Sequence, residues 1–240
     1  MKKVLLYSGG VDSWLINQIW EPNVRLYVDL GTDYGKEEID LFKKNDEEVQ
    51  IVSFDLSEYE LEDKFIPLRN LYLIMFACNI TDFEDVEICL GATVADRSYD
   101  KSMEFLEKTE SLLNYMYTPY VSQPHSKNIK IVKEFKNKSK KELLTMYLEK
   151  GGDINKAFNE SYGSFKKEMS EWECKKFYRK YVAFKLNGYS FPRYVDKRMF
   201  DYFTNTELKE IESLGDEYNR GIEGQEMLEV YNHLLQEYGE

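Results

Sequence analysis

The chain has 240 residues, with 32 Lys or Arg against 44 Asp or Glu, a formal net charge of −12. That balance excludes a protein that grips nucleic acid chiefly through phosphate charge, although local charge decides whether a small anion binds. The three cysteines, Cys78, Cys89 and Cys174, form no CxxC pair. They are too few for a four-thiolate zinc site and point away from a disulfide framework, so a reducing cytoplasm is the expected compartment.

Lys3 to Tyr7 is short, continuous and apolar, the pattern of a strand buried on both faces. Its run is too short for the apolar stretch of a signal peptide, and Leu71 to Cys78 is too short to cross a bilayer. Ser8-Gly9-Gly10 makes a turn, and Val11 to Trp20 has helical character. Val24 to Leu30 reads as a second strand, Lys36 to Asn45 as a charged helix and Val49 to Phe54 as a third strand. An apolar helix runs from Leu68 to Asn79 after Pro67, followed by a fourth strand from Val86 to Leu90 that ends in Gly91-Ala92. Ser102 to Tyr115 is helical, Asn128 to Val132 suits a fifth strand, and Lys138 to Lys150 is a helix stopped by Gly151-Gly152. Strands alternating with helices predict an α/β fold, a mainly parallel sheet sandwiched by helices. Beyond Ile154 the pattern changes. Lys166 to Lys185 and the acidic stretch Thr206 to Glu240 read as helices, with a boundary expected at Gly188 to Pro192. The expected organisation is an α/β domain over residues 1–154 and a helical C-terminal extension over 155–240.

The first turn carries the strongest chemical signal. A glycine pair after a buried strand lets the backbone turn sharply and approach a ligand. The helix that follows offers free N–H groups and the positive end of its dipole, which suits a phosphate. Ser8 and Ser13 can donate hydroxyl hydrogen bonds to phosphate oxygens, and Asp12 can hold Mg2+ on a pyrophosphate. The bland alternative is a Gly-Gly turn with Asp12 and Ser13 as ordinary helix-start residues.

Ser8-Gly9-Gly10-Val11-Asp12-Ser13 resembles the SGGxDS signature of the PP-loop ATP pyrophosphatases, whose fold is of the adenine nucleotide alpha hydrolase type. No GxxxxGK[ST] Walker loop is present. Further patches resemble the 7-cyano-7-deazaguanine (preQ0) synthase branch, which serves queuosine biosynthesis. Thr32-Asp33-Tyr34-Gly35-Lys36 is similar to its FxYGQ segment. Ile66-Pro67-Leu68-Arg69-Asn70 is similar to VPGRN. Leu90-Gly91-Ala92 with Asp96, Tyr99, Asp100 and Phe105 is similar to GAxxxDxxxYPDCRxxF. Lys138-Ser139-Lys140-Lys141-Glu142 is similar to K-[ST]-K-x-E.

The resemblance implies that Tyr7, Ser8, Gly9, Gly10, Val11, Asp12, Ser13, Tyr34 and Lys138 hold ATP, with Mg2+ as the second cofactor; no resident protein-bound metal is expected, because the chain departs from the family's zinc pattern. It implies an acceptor pocket of Arg69, Asn70, Gly91, Ala92, Asp96, Tyr99 and Asp100. Asp12, Ser13, Arg69 and Asp96 are then the residues closest to the chemistry. The implied reaction is an ATP-dependent C–N ligation, in which the carboxylate of 7-carboxy-7-deazaguanine is adenylated and attacked by ammonia. Simpler uses remain open at each patch. Arg69 and Asn70 suit an exposed helix start, Asp96 and Asp100 suit helix caps, and Lys133, Lys136, Lys138, Lys140 and Lys141 suit either a solvated face or steering of ATP. His125 and His233 are taken as structural or surface residues.

The chain also departs from the pattern. The family's C…CxxCxxC zinc site falls on Ser161-Tyr162-Gly163, Glu171, Cys174 and Phe177, where only Cys174 is a thiol, and aromatic packing around Trp172, Phe177 and Tyr181 is the expected replacement. YPDCR has become Tyr99-Asp100-Lys101-Ser102, and VPGRN carries Leu68 in place of its glycine. A drifted pocket leaves two alternatives open. One is another carboxylate or amide acceptor, or the joining of a deazaguanine to a macromolecule. The other is a nucleotide-binding module without catalysis. Residues 195–240 match no family motif and are expected to serve a homodimer or a protein partner.

Overall fold

Five short segments pair as a parallel sheet, the central ones rich in buried apolar side chains as parallel strands require and the edge strand Gln50–Ser53 mostly exposed. They are β1 (Lys2–Leu6), β2 (Val24–Asp29), β3 (Gln50–Ser53), β4 (Val86–Cys89) and β5 (Ile129–Ile131), in the spatial order β3-β2-β1-β4-β5. This computed structural model describes residues 1–32, 35–45, 47–62, 65–94, 96, 98–120, 125–163, 169, 171–208 and 221–239, without the side chains of 171 and 172. All four strand pairs are parallel, with Val4 beside Val24 and Ile88.

Helices α1 (Val11–Trp20), α2 (Gly35–Lys44), α3 (Arg69–Asn79) and α4 (Met103–Met116) connect the strands. The period-2 alternation of a strand sorts its side chains between two layers. Val4, Leu6, Leu26, Val28, Val86 and Ile88 pack with Ile74, Ala77 and Cys78 of α3 and with Leu106 and Leu113 of α4. The odd-numbered Tyr7 and Tyr27 instead meet the Phe42 ring of α2, at centroid distances of 5.5 and 5.3 Å. The sheet is therefore covered on both faces, as expected of an α/β fold. The ends of β1 to β5 and of α1 to α4 fall within one or two residues of the expected ones.

The chain forms two compact units, Met1–Asn137 and Lys138–Glu240. The described elements of the second are helices: α5 (Lys140–Glu149), α6 (Ile154–Glu160), α7 (Glu171–Leu186), α8 (Arg193–Tyr202) continuing into a π-helical turn (Phe203–Glu207), and α9 (Ile222–Tyr238). Helix α5, grouped by its sequence position with the α/β region, packs on α7 in this second unit. Ser139 caps it, accepting from Glu142 N at 3.2 Å while Glu142 accepts from Ser139 N at 2.8 Å, a capping box that starts the helix on that residue.

Residues 195–240 are not an appended tail. Val195, Met199 and Phe203 of α8 and its π turn, with Met227, Val230 and Leu234 of α9, enclose Phe177, Tyr178 and Tyr181 of α7 in one apolar core. Nor do Gly188 to Pro192 separate domains. Tyr189 and Phe191 stack into the same unit, with ring centroids 4.6 and 5.5 Å from Phe158, so glycine and proline there punctuate a helix-to-helix turn. Of the expected helix over Thr206 to Glu240, Thr206 and Glu207 belong to the π-helical turn, 209–220 lie outside the described residues, and Ile222–Tyr238 is helical. No described helix is long and apolar enough to cross a membrane.

Candidate active site

In an open parallel sheet of this order, the chain leaves β1 in opposite directions, to β2 on one side and, after β3, across to β4 on the other. Ligands bind at such a reversal, outside the carboxyl ends of the strands. The loop after β1 and the loop after β4 are therefore neighbours, although about 80 residues separate them in the chain. A Cβ added to Gly91 would stand 3.9 Å from Leu6 O.

The first loop is built on two glycines that do different work. Gly9 has φ +69°, a left-handed conformation, and a Cβ there would lie 2.9 Å from Cε1 of Phe42 and 3.2 Å from Cδ2 of Leu41. It is glycine because the chain must turn against α2. Gly10 has φ −62°, which any residue adopts, and an added Cβ would meet only Ser8 Oγ, at 3.3 Å. What its missing side chain leaves open is the approach to the start of α1.

That helix has no side-chain cap on its first turn, and its first intrahelical bond is Trp14 N to Gly10 O at 2.8 Å. The hydroxyls lie around it. Ser13 Oγ donates to Gly10 O at 3.1 Å and accepts from Ser8 N at 3.3 Å, and Ser8 Oγ, 3.3 Å from Ser13 Oγ, accepts from Gly10 N at 3.4 Å. These are long bonds, easily exchanged for phosphate oxygens. Tyr7 is buried beneath the loop, Val11 is buried, and Asp12 is half-buried in the first helical turn. Uncapped N–H groups, two hydroxyls and open backbone fit a pyrophosphate. Asp12 is the carboxylate that could share a Mg2+ with it, since Mg2+ on a nucleotide needs only one or two protein carboxylates.

The loop after β4 carries Gly91 at φ +71°, buried Ala92 and buried Thr93. Asp96 closes it as a turn, its Oδ2 accepting from Thr93 N at 2.8 Å. Its Oδ1 accepts from Lys101 Nζ at 2.7 Å. Lys136 Nζ donates to Thr93 O at 2.6 Å and to Asp96 O at 3.0 Å. Burial pulls the Lys136 ammonium below its ordinary pKa; Asp96 pushes it back up, and Lys101 adds to the fall.

Arg69 and Asn70 open α3. Asn70 is 2% exposed and donates its amide to Asp100 Oδ2 at 2.7 Å, which ties the helix start to the turn Tyr99–Lys101. Leu68, where the resembling motif has glycine, holds φ +60° and ψ 13° with 59% of its surface exposed. The glycine-type backbone persists without the glycine. Arg69 is half-buried, and Tyr99 is 93% exposed.

Of the expected site residues, the fold thus brings Ser8 to Ser13, Gly91, Ala92 and Asp96 to one end of the sheet, with Asn70 bonded to Asp100. Tyr34 lies outside the described residues. Lys138 belongs to the second unit, where its Nζ is 3.5 Å from Glu142. Asp96 does not cap α4. Ser102 does, accepting from Phe105 N at 3.1 Å. The residues that sequence reasoning undervalued are Lys101 and Lys136. Lys136 sat in a lysine-rich run that read equally as a solvated face, and only the fold turns it onto the loop after β4.

The other thiols do not suit chemistry. Burial raises the Cys78 pKa and pushes that of Cys89 to about 12. Cys174 Sγ sits 4.0 Å from Met169 O and from Arg198 Nη2, at the edge of the aromatic core containing Phe177 and Tyr181. No group of three His, Cys, Asp or Glu side chains among the described residues is placed to hold a metal ion. Of the described residues at the expected zinc position, Ser161, Tyr162, Gly163, Cys174 and Phe177, only Cys174 offers a thiolate, too few for a structural zinc site, and Cys174 and Phe177 pack in the apolar core of this unit.

Residues 41–185, more than half of the chain, match the family model of the queuosine biosynthesis protein QueC. The chain belongs to the QueC family. The match takes in the Arg69-Asn70, Gly91-Ala92 and Lys138–Glu142 patches, and the Ser8–Ser13 loop lies ahead of it. Comparison with curated proteins and with solved structures returned no match.

Proposed function

We propose that this QueC-family chain is an ATP-dependent C–N ligase acting on 7-carboxy-7-deazaguanine. The observation that carries the reading is the adjacency of an open, uncapped pyrophosphate loop, Ser8–Ser13, to the loop after β4 at the point where the sheet order reverses. In this reading the N–H groups of the first turn of α1 and the Ser8 and Ser13 hydroxyls hold the β- and γ-phosphates, and Asp12 shares Mg2+ with them. The acceptor lies across the crevice, against Gly91, Ala92 and the start of α3. Its carboxylate oxygen attacks the α-phosphorus, the Pα–O bond to pyrophosphate breaks, and a carbonyl adenylate forms. Ammonia then attacks that carbonyl and AMP leaves, giving the amide. A second activation with loss of the amide oxygen gives the nitrile, preQ0. Fixed backbone donors at the leaving pyrophosphate act where charge builds up in the transition state, which is where such donors contribute most.

The test is ATP–pyrophosphate exchange driven by 7-carboxy-7-deazaguanine, with product mass spectrometry after adding ammonia. Exchange that is lost in Asp12→Ala supports the reading; nucleotide binding with no exchange on this acid overturns it. A second reading keeps the adenylation and changes the acceptor. It draws on the engagement of Asp96 by Lys101 and of Asp100 by Asn70, which leaves fewer carboxylate positions to read a guanine-like edge. Exchange with another carboxylate, or a deazaguanine found on a macromolecule by mass spectrometry, would select it.

A further inference from the structure

The loop after β4 carries a charge arrangement that its motif does not account for. Asp96 meets two ammonium groups, one at its carboxylate and one at its backbone carbonyl. Lys101 takes its Oδ1 at 2.7 Å, and Lys136 is held on the backbone of the same turn through Thr93 O and Asp96 O. Thr93 N already occupies Oδ2 at 2.8 Å. Among the described residues, the ammonium groups of Lys101 and Lys136 and the carboxylates of Asp96 and Asp100 thus meet in this loop and the turn that follows it. The two lysines differ in freedom. Lys136 is committed to two carbonyls and sets the turn. Lys101 makes a single ion pair with a side chain 23% exposed, as is that of Asp96, so its remaining donors can still be reached. Lys101 also stands in the segment where the YPDCR pattern has lost its arginine.

We infer that Lys101 is a specificity-determining residue of the acceptor pocket, the counter-ion for a carboxylate on the substrate, with Asp96 holding its ammonium in place when the pocket is empty. The inference rests on the proposed ligase reading and narrows it, since it names the group that the pocket selects. A carboxylate entering beside Lys101 converts a two-member ion pair into a three-member one, while Lys136, bonded to the Thr93 and Asp96 carbonyls, holds the turn that carries the pair. Charge-assisted hydrogen bonds of this kind are the strong ones. The neutral nitrile at the same position gains none of this, so the pocket favours the acid over the final product. That preference helps the acid to enter and the nitrile to leave.

Calorimetry on the full chain without ATP tests it, with 7-carboxy-7-deazaguanine and its neutral nitrile as the two ligands. In Lys101→Met the affinity for the acid should fall about 10- to 100-fold, the range expected for a lost charged hydrogen bond, while nitrile and ATP-analogue affinities stay within about twofold. Lys101→Arg should recover most of the loss. Lys136→Met should weaken acid and nitrile alike, because it loosens the turn. An equal loss of both ligands in Lys101→Met, no loss of either, or a charge-selective loss in Lys136→Met in its stead would each overturn the assignment. If the wild-type chain binds neither deazaguanine, the ligase reading fails on its own. The subsite is then judged with benzoate against benzamide in the same variants, where an unselective wild type overturns it.

Discussion

Gly9 and Gly10 are adjacent, yet alanine should affect them through different properties. At Gly9, φ +69° costs an alanine about 1–2 kcal/mol. Its Cβ would also press on Cε1 of Phe42 at 2.9 Å and Cδ2 of Leu41 at 3.2 Å, and overpacking of this kind adds about 1–3 kcal/mol. The reduced freedom of the unfolded chain returns about 0.4–1 kcal/mol. Gly9→Ala should therefore lose about 1–5 kcal/mol of stability in urea unfolding, with ATP binding lost as well. At Gly10 the backbone is unstrained and the Cβ faces only a serine hydroxyl that can rotate. Gly10→Ala should keep its stability to within about 0.5 kcal/mol, as an ordinary exposed substitution does. Its affinity for a non-hydrolysable ATP analogue should still fall by at least tenfold, because a methyl group would occupy the path of a phosphate oxygen. A Gly10→Ala protein that binds the analogue like the wild type would refute the placement of pyrophosphate on this loop. A Gly9→Ala protein of unchanged stability would refute the packing of the loop against α2.

Other outcomes follow from single residues. Leu68→Gly should stabilise the fold by about 0.5–1 kcal/mol, since it relieves a left-handed leucine whose side chain is largely exposed and gives back only glycine's entropy cost; urea midpoints check it. Ser139→Ala should cost about 2 kcal/mol, because it removes the α5 cap and the 2.7 Å bond that the fully buried hydroxyl donates to Glu226 Oε1; loss of helical signal on heating reads it. Lys180, 1% exposed, donates to Phe158 O at 2.7 Å and Ser161 O at 2.8 Å, and burial pulls its pKa from 10.5 down to about 7. The folded value lies below the unfolded one, so between pH 7 and 10.5 the unfolded chain binds more protons and the contribution of Lys180 to stability rises with pH. The stability of the wild type relative to Lys180→Met should climb from pH 7 to pH 10 and stay flat below pH 7; a flat difference throughout would show that the ammonium is not desolvated.

Local order was legible in the residues themselves. The buried strands, the Gly-Gly turn and α1 follow from apolar runs bounded by glycine, and these are short-range consequences of backbone sterics and burial. The SGGVDS loop could be identified for the same reason, as its chemistry is contained in six consecutive residues. Helices α6 and α8 were missed. Each is short, and α8 mixes Arg193, Asp196, Lys197 and Arg198 with its apolar positions, so that no single stretch stands out until α7 and α9 supply the surfaces that Val195 and Met199 bury against. The acidic C-terminal stretch looked appended because its charges are visible in the sequence and its partners are not.

The sequence by itself determined that a strand, a glycine turn and an uncapped helix start would make an anion site, because those properties belong to neighbouring residues. Only the tertiary structure decided what stands opposite. The strand order puts the loop after β4 beside it, Asn70 reaches across 30 residues to Asp100, and Lys136 reaches back across 40 residues to the carbonyl of Asp96. A charge has no assigned role until the chain brings it to a partner, since Coulomb attraction and hydrogen bonding depend on distance in space and not on separation in sequence. That is why Lys136, which suited a solvated face in the sequence, holds the loop after β4 in the fold.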